Sequence, residues 1–272
     1  MRKKKNNRKV KNISIVKRVK ALKNKIFYAR LKSAFESTIC FFRNDDQNVV
    51  APAGSGVFIK YKENYYVVTA AHVLAEYYNE TFVILHDTEL TIGGQLYNTE
   101  MPKSGMRADD KIDISILKVD NNSATKLLTR FKALESCSEI ATNHNLSNAA
   151  SYFSVGFPLT KTKKVWGKDE IKSIGFTYQT EPILNYEFKK FGFDSLSTIA
   201  IKFDGQVINA TNPHPHFSPN LAGMSGSGLW HFYDKGKKAL IGIIIEQIKE
   251  TGHKAVLATK IDIVLKMIDG IK

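Results

Sequence analysis

A chain of 272 residues, 43% of them hydrophobic, is long enough for one large domain or two modest ones and suits a globular protein. No apolar run approaches the length that spans a bilayer, and two cysteines without close spacing form neither a zinc site nor a disulfide framework. The net charge of +14 comes from the start of the chain: residues 1–32 hold 14 Lys and Arg and no acidic residue, while the remainder balances 26 basic against 26 acidic residues, which argues against a body built as one basic surface.

Residues 1–32 run from Met1 to Lys32. A secretory signal needs an unbroken apolar region after its basic start, and here Lys17, Arg18, Lys20, Lys23 and Lys25 interrupt it. The expectation is a cytoplasmic protein, with Cys40 and Cys137 as reduced core thiols or joined in a single bridge. Ile15, Val19, Leu22, Ile26 and Ala29 recur at helical spacing, so the stretch is expected to form a basic helical tail. Two roles stand open for it. It is a solvated helix that docks its apolar stripe on the body, on another copy or on a partner protein, or it binds an anionic membrane surface or nucleic acid.

From Ser33 the pattern turns to short strands. Thr38–Phe42 reads as the first, followed by a polar loop from Asn44 to Asn48. Gly54-Ser55-Gly56 opens Val57–Tyr61, Lys62-Glu63-Asn64 turns the chain, and Tyr65–Thr69 returns it as a hairpin that ends in Ala70-Ala71-His72-Val73. Thr81–Leu85 and the alternating Ile112–Val119 complete a first group, expected to form one barrel over about residues 33–120. Residues 121–148 are a polar connector with a helical stretch from Ala124 to Leu134. Tyr152–Pro158, Ile174–Tyr178, Thr198–Phe203, Leu240–Ile245 and Ala255–Ile261 form a second group, a second barrel over about 149–261. Asp262 is placed to cap a closing helix through Ile263, Leu265 and Met267.

Gly223-Met224-Ser225-Gly226-Ser227-Gly228 sits among these strands. By itself it is a glycine-rich hairpin turn or a place where a serine is presented with backbone N–H donors around it. In chain order His72 ends a strand, Asp113 begins one and Ser225 lies on the glycine turn. A serine hydroxyl needs a base as it attacks, imidazole titrates near neutral pH, and a buried carboxylate fixes the imidazole ring. Asp109 and Asp110 compete with Asp113, but they precede the apolar alternation and read as solvent-exposed loop residues.

Three blocks carry a family resemblance: Thr69-Ala70-Ala71-His72, Asp113-Ile114-Ser115-Ile116-Leu117 and Gly223-Met224-Ser225-Gly226-Ser227. With a weaker fourth block at Phe153–Pro158, the chain from about residue 35 onward resembles the trypsin-like serine peptidases of the chymotrypsin fold, especially their bacterial, disulfide-free members. The resemblance implies an all-β protein of two antiparallel Greek-key β-barrels with a C-terminal helix (262–272). It also implies a serine endopeptidase acting on a protein or peptide, with His72 as base, Asp113 as its orienting acid and Ser225 as nucleophile. The oxyanion hole would be the N–H groups of Gly223 and Ser225, and no metal or cofactor is needed.

Departures from the family pattern are informative. Val73 replaces the usual cysteine, and Met224 the aspartate that pairs with a newly cut N-terminus in zymogen-activated members. Pro219, Glu246, Gln247 and Ala255 fall where the substrate pocket lies by resemblance. They point away from a preference for Arg or Lys and toward a restricted pocket. An α/β-hydrolase is disfavoured, because its acid and histidine follow the serine and position 227 is Ser rather than Gly. A catalytically silent peptidase-like binding module, with the basic tail as its working part, is the standing alternative. Deleting residues 1–32 is expected to abolish salt-sensitive binding to anionic vesicles or nucleic acid, measured by cosedimentation and gel shift over a salt series. Binding unchanged by the deletion would exclude that docking role.

Overall fold

Runs of β-branched and aromatic residues, broken by Gly, Asn and Asp, fold this chain into hairpins. The computed structural model describes residues 31–45, 49–148, 150–164, 171–203, 206–209, 212–217, 220–233, 237–250 and 254–271. The tail from Met1 to Arg30 and Pro219 lie outside the described residues.

The first half holds β1 (Thr38–Asn44), β2 (Val50–Tyr61), β3 (Asn64–Ala70), β4 (Val83–Leu85), β5 (Thr88–Leu90), β6 (Gly94–Asn98), β7 (Ile114–Val119) and β8 (Leu134–Glu135). The second holds β9 (Ser151–Gly156), β10 (Thr162–Lys164), β11 (Ile171–Ser173), β12 (Phe176–Thr180) and β13 (Thr198–Ile201). It continues with β14 (Gln206–Asn209), β15 (Asn212–Phe217), β16 (Gly228–Tyr233), β17 (Lys237–Ile248) and β18 (Ala255–Lys260). One six-stranded sheet runs β1-β2-β3-β7-β6, with β8 parallel to β2 at its side. The other six-stranded sheet runs β12-β9-β16-β17-β18-β13, antiparallel throughout. The remaining strands pair off as small hairpins. The protein is all-β, as expected.

Burial explains why the pleat is not simply polar on one side. Val57, Phe58 and Ile59 are consecutive in β2 and all fully buried, so both faces of that strand are covered. Ile114 to Leu117 in β7 behave alike, with Ser115 buried beside Ile114 and Ile116 and bonded to Asn98. Each large apolar side chain buried this way contributes roughly 1.5–3 kcal/mol. The main apolar core reaches into both sheets, from Phe41 and Phe58 to Phe153 and Trp230. Leu31 and Ala34, on the helical residues 31–35, pack into it.

Several expected boundaries move. β2 starts at Val50, because its first residues pair with β1 across a bulge at Phe41/Phe42. The Thr81–Leu85 strand shortens to β4, while Phe82 bridges Phe42 directly. The connector helix spans Asn121–Leu128, started by the Asp120 carboxylate accepting the Ser123 N–H at 2.7 Å, and Leu134 leaves it for the edge of β2. Asp262 caps no helix. The closing helix Ile261–Gly270 follows Lys260, and Asp262, in its first turn, accepts the Asn143 N–H at 2.7 Å. Cys40 is a free, buried thiol that burial pushes up to about 12, as a small core residue should be.

In the second sheet Tyr152 and His231 are cross-strand partners, with His144 tilted against His231 at a 4.3 Å centroid distance and edge-on to Tyr152. His144 Nε2 lies 3.0 Å from the Tyr152 hydroxyl, and Tyr233 stacks on His231. Desolvation, then the neighbouring His144, lowers His231 from 6.5 to about 4, and desolvation lowers His144 against the pull of Asp262. The unfolded chain therefore binds protons that the folded one refuses between 6.5 and about 4. This contribution to stability is complete above 6.5 and is lost as pH falls toward 4. Urea denaturation at about pH 7 and about pH 5 is expected to show that loss, and His231→Gln is expected to reduce it.

Candidate active site

The register of the first sheet builds the first half of the site. Ala70, the last residue of β3, pairs with Ile114, the first of β7. The next residues on each side are thereby set opposite one another, and the Ala71 N–H donates to the Asp113 carbonyl at 2.9 Å. His72 follows on a single helical turn, Ala71–Leu74. One Asp113 carboxylate oxygen accepts the His72 backbone N–H at 2.9 Å, and the other lies 2.6 Å from His72 Nδ1. A carboxylate only accepts, so Nδ1 carries a proton, which in the neutral ring leaves the lone pair on Nε2. The Asp113 side chain is 8% exposed and that of His72 41%, so the acid is enclosed while the imidazole reaches the cleft.

Asp113 has a positive φ of 49°, a conformation Asp tolerates better than most residues. Asp110 holds it there. The Asp110 carboxylate accepts the N–H groups of Asp113 at 2.9 Å and Ile112 at 3.0 Å, the Thr99 hydroxyl, and the Arg107 guanidinium at 2.9 Å. Burial works to raise the Asp110 carboxyl, but these donors outweigh it and hold the group below its usual range. The expectation of an exposed loop residue is thus corrected for Asp110, whose side chain is 7% exposed, and holds for Asp109. Sequence spacing gave no warning, because the donors are backbone groups and an arginine brought in by the loop.

The second half of the site is the turn before β16. Leu221–Met224 closes through the Met224 N–H donating to the Leu221 carbonyl at 2.8 Å, with Gly223 at φ 89°. That is the third position of a type II turn, where a side chain is strained. A Cβ on Gly223 would also stand 2.7 Å from the Phe157 carbonyl. Among the described residues neither the Gly223 nor the Ser225 N–H has an acceptor. Ser227 steadies the turn by donating its N–H to the Met224 carbonyl at 2.9 Å and its hydroxyl to the same oxygen. Met224 is 1% exposed, packed in an apolar cluster with Leu221, Leu229 and Ile244.

Both halves open on one cleft of about 540 Å³, lined by His72 and Asp113 from one side and Ser225 from the other. Among the described residues Ser225 Oγ makes no hydrogen bond with His72. Such contacts are commonly loose until a substrate closes the site. Glu246 and Gln247 line the cleft as expected. Ala255 instead pairs with Ile248 outside the lining, and its neighbour Val256, equally buried, is the lining residue. Leu221 and Ile244 also form the wall and were not singled out by the sequence, and Met224, noted there only for the aspartate it replaces, joins them. Burial raises the Glu246 carboxyl, with Lys111 opposing and Asp113 adding to the shift.

No curated protein matches the chain. Among solved structures, the inactivated protease paralogue S-I1 of the scabies mite is similar at 14% identity and a TM-score of 0.55, over 87% of this chain and 95% of that one. Neuropsin, a serine protease expressed in the limbic system of mouse brain, is similar at 15% identity and a TM-score of 0.54, over 86% and 93%. These likenesses show a shared, chymotrypsin-like fold. The family model for the trypsin-like peptidase domain matches residues 54–243, a span that takes in His72, Asp113 and Ser225, and the chain belongs to that family.

Proposed function

We propose that this protein is a serine endopeptidase that hydrolyses peptide bonds through an acyl-enzyme intermediate. The observation that carries this is the 2.6 Å contact of His72 Nδ1 with an enclosed Asp113, in the cleft that Ser225 also lines. Ser225 Oγ attacks the substrate carbonyl carbon while His72 Nε2 takes its proton. Asp113 keeps the ring oriented and stabilises the imidazolium. The tetrahedral oxygen, now negative, is received by the Gly223 and Ser225 N–H groups. As the C–N bond breaks, His72 returns the proton to the leaving amine, and an ester to Ser225 remains. Water then attacks that ester with His72 again as base, which releases the acid and restores the serine.

The apolar wall of Leu221, Met224, Ile244 and Val256 supports a pocket for an uncharged side chain rather than for Arg or Lys. A silent binding module remains the second proposal, since a neighbour in fold is described as an inactivated protease. In either case the charge of residues 1–32 supports docking of the tail to an anionic surface or a partner.

A fluorophosphonate probe separates the two. Ser225 is expected to be labelled in the folded protein, and Ser225→Ala to lose labelling together with peptidase activity, a fall on the order of 10⁶-fold. Absence of labelling in folded, full-length protein would favour the silent module. Asp110→Asn weakens the cradle of Asp113. It is expected to lower kcat and to cost about 1–3 kcal/mol in denaturant-measured stability.

A further inference from the structure

The turn that carries Ser225 has its peptide groups fixed one by one. The Ala222 carbonyl accepts the Leu159 N–H at 2.8 Å, so the N–H of the same peptide, that of Gly223, points the opposite way. The Gly223 carbonyl accepts the Ser55 hydroxyl at 2.9 Å. That hydroxyl in turn accepts the Phe157 N–H at 3.0 Å. Ser55 is fully buried, and its backbone N–H donates to the Ser225 carbonyl at 2.9 Å. Its own carbonyl accepts the Thr69 hydroxyl at 2.6 Å, three residues before His72. One residue of the first sheet thus grips the peptides on both sides of Met224 and Ser225.

A type II turn becomes type I when its central peptide rotates by half a turn, which exchanges the faces of N–H and C=O. Here that rotation would break the Leu159 contact, while the Ser55 hydroxyl holds the peptide that follows at the Gly223 carbonyl. Met224 supplies no charge to the turn, and among the described residues every hydrogen bond to the turn comes from a neutral group. We infer that the Ser55 hydroxyl is a standing latch: a positioning group that sets the oxyanion-binding turn as the chain folds, so that the site needs no cleavage of the chain to become competent. This rests on the hydrolase proposal above. Without the hydroxyl, the Phe157 N–H and the Gly223 carbonyl lose their shared partner, and the Leu159 contact alone holds the turn against rotation.

The test uses the full-length protein, with its intact mass verified, and the variant Ser55→Ala. Uncut wild-type protein is expected to react with a fluorophosphonate at Ser225. Ser55→Ala is expected to react roughly 10- to 1000-fold more slowly, with kcat lowered in parallel and KM little changed. A peptide boronate, which becomes tetrahedral on Ser225, should lose affinity by a similar factor, while a product-like peptide acid keeps its own. A merely structural Ser55 would lower thermal stability without this split between the two ligands. Labelling and kcat equal to wild type in Ser55→Ala would overturn the latch. So would a wild-type protein that is labelled only after a peptide bond in it has been cut, an outcome that decides the matter even where Ser55→Ala does not fold. No labelling of wild type in either form would instead bring down the hydrolase proposal, and the latch with it.

Discussion

Where Gly226 lacks a Cβ, the carbonyl of Ser55 and the hydroxyl of Thr69 fill the space. A side chain there would stand 1.9 Å from the one and 2.1 Å from the other, at a backbone φ of 83° that side chains resist. This close approach joins the two sheets at their functional ends. It lets the Ser55 N–H reach the Ser225 carbonyl and holds β3, which delivers His72, against the turn that carries the serine. The Gly226 N–H completes the join by donating to the Ile244 carbonyl at 2.7 Å within the second sheet. His72 and Ser225 come from opposite halves of the chain, so their separation is set by this seam rather than by either sheet alone.

The acid half of the site is held differently. Asp113 sits in a strained backbone conformation next to a second, nearly buried carboxylate, a costly arrangement unless every charge is matched. Asp110 is matched by Arg107, by a hydroxyl and by two backbone N–H groups, and the Arg107 guanidinium also donates to the Thr99 carbonyl at 3.0 Å. Asp113 is matched by His72 through both ring and backbone. Desolvation thus goes into orienting the imidazole, with Asp110 occupied wholly with the loop.

Residues whose role depends on local chemistry were the legible ones. His72 after Thr-Ala-Ala, Asp113 before an apolar run and Ser225 among glycines are short-range patterns, and the structure brings all three to one cleft. Asp110 was misread because its partners are backbone groups and Arg107, which no hydrophobic period announces. Ala255 was misplaced by one residue, as the bulge between Ile244 and Glu246 shifts the pairing of β17 with β18 just where the cleft begins. The helix predicted to reach Leu134 failed because edge pairing to β2 outweighed helical propensity there. The early start of β2 was hidden by Pro52, which breaks the strand pattern ahead of the Gly54-Ser55-Gly56 run at which the sequence opens the strand.

The thiol of Cys40, enclosed near Phe42 and Phe82, has a consequence for anyone handling this protein. With its ionisation pushed up to about 12, almost none of it is thiolate at neutral pH, and burial further slows alkylating agents in the native state. Its reaction with such an agent therefore clocks the opening of the first sheet. The chain carries in its own core an internal gauge of how often that sheet breathes.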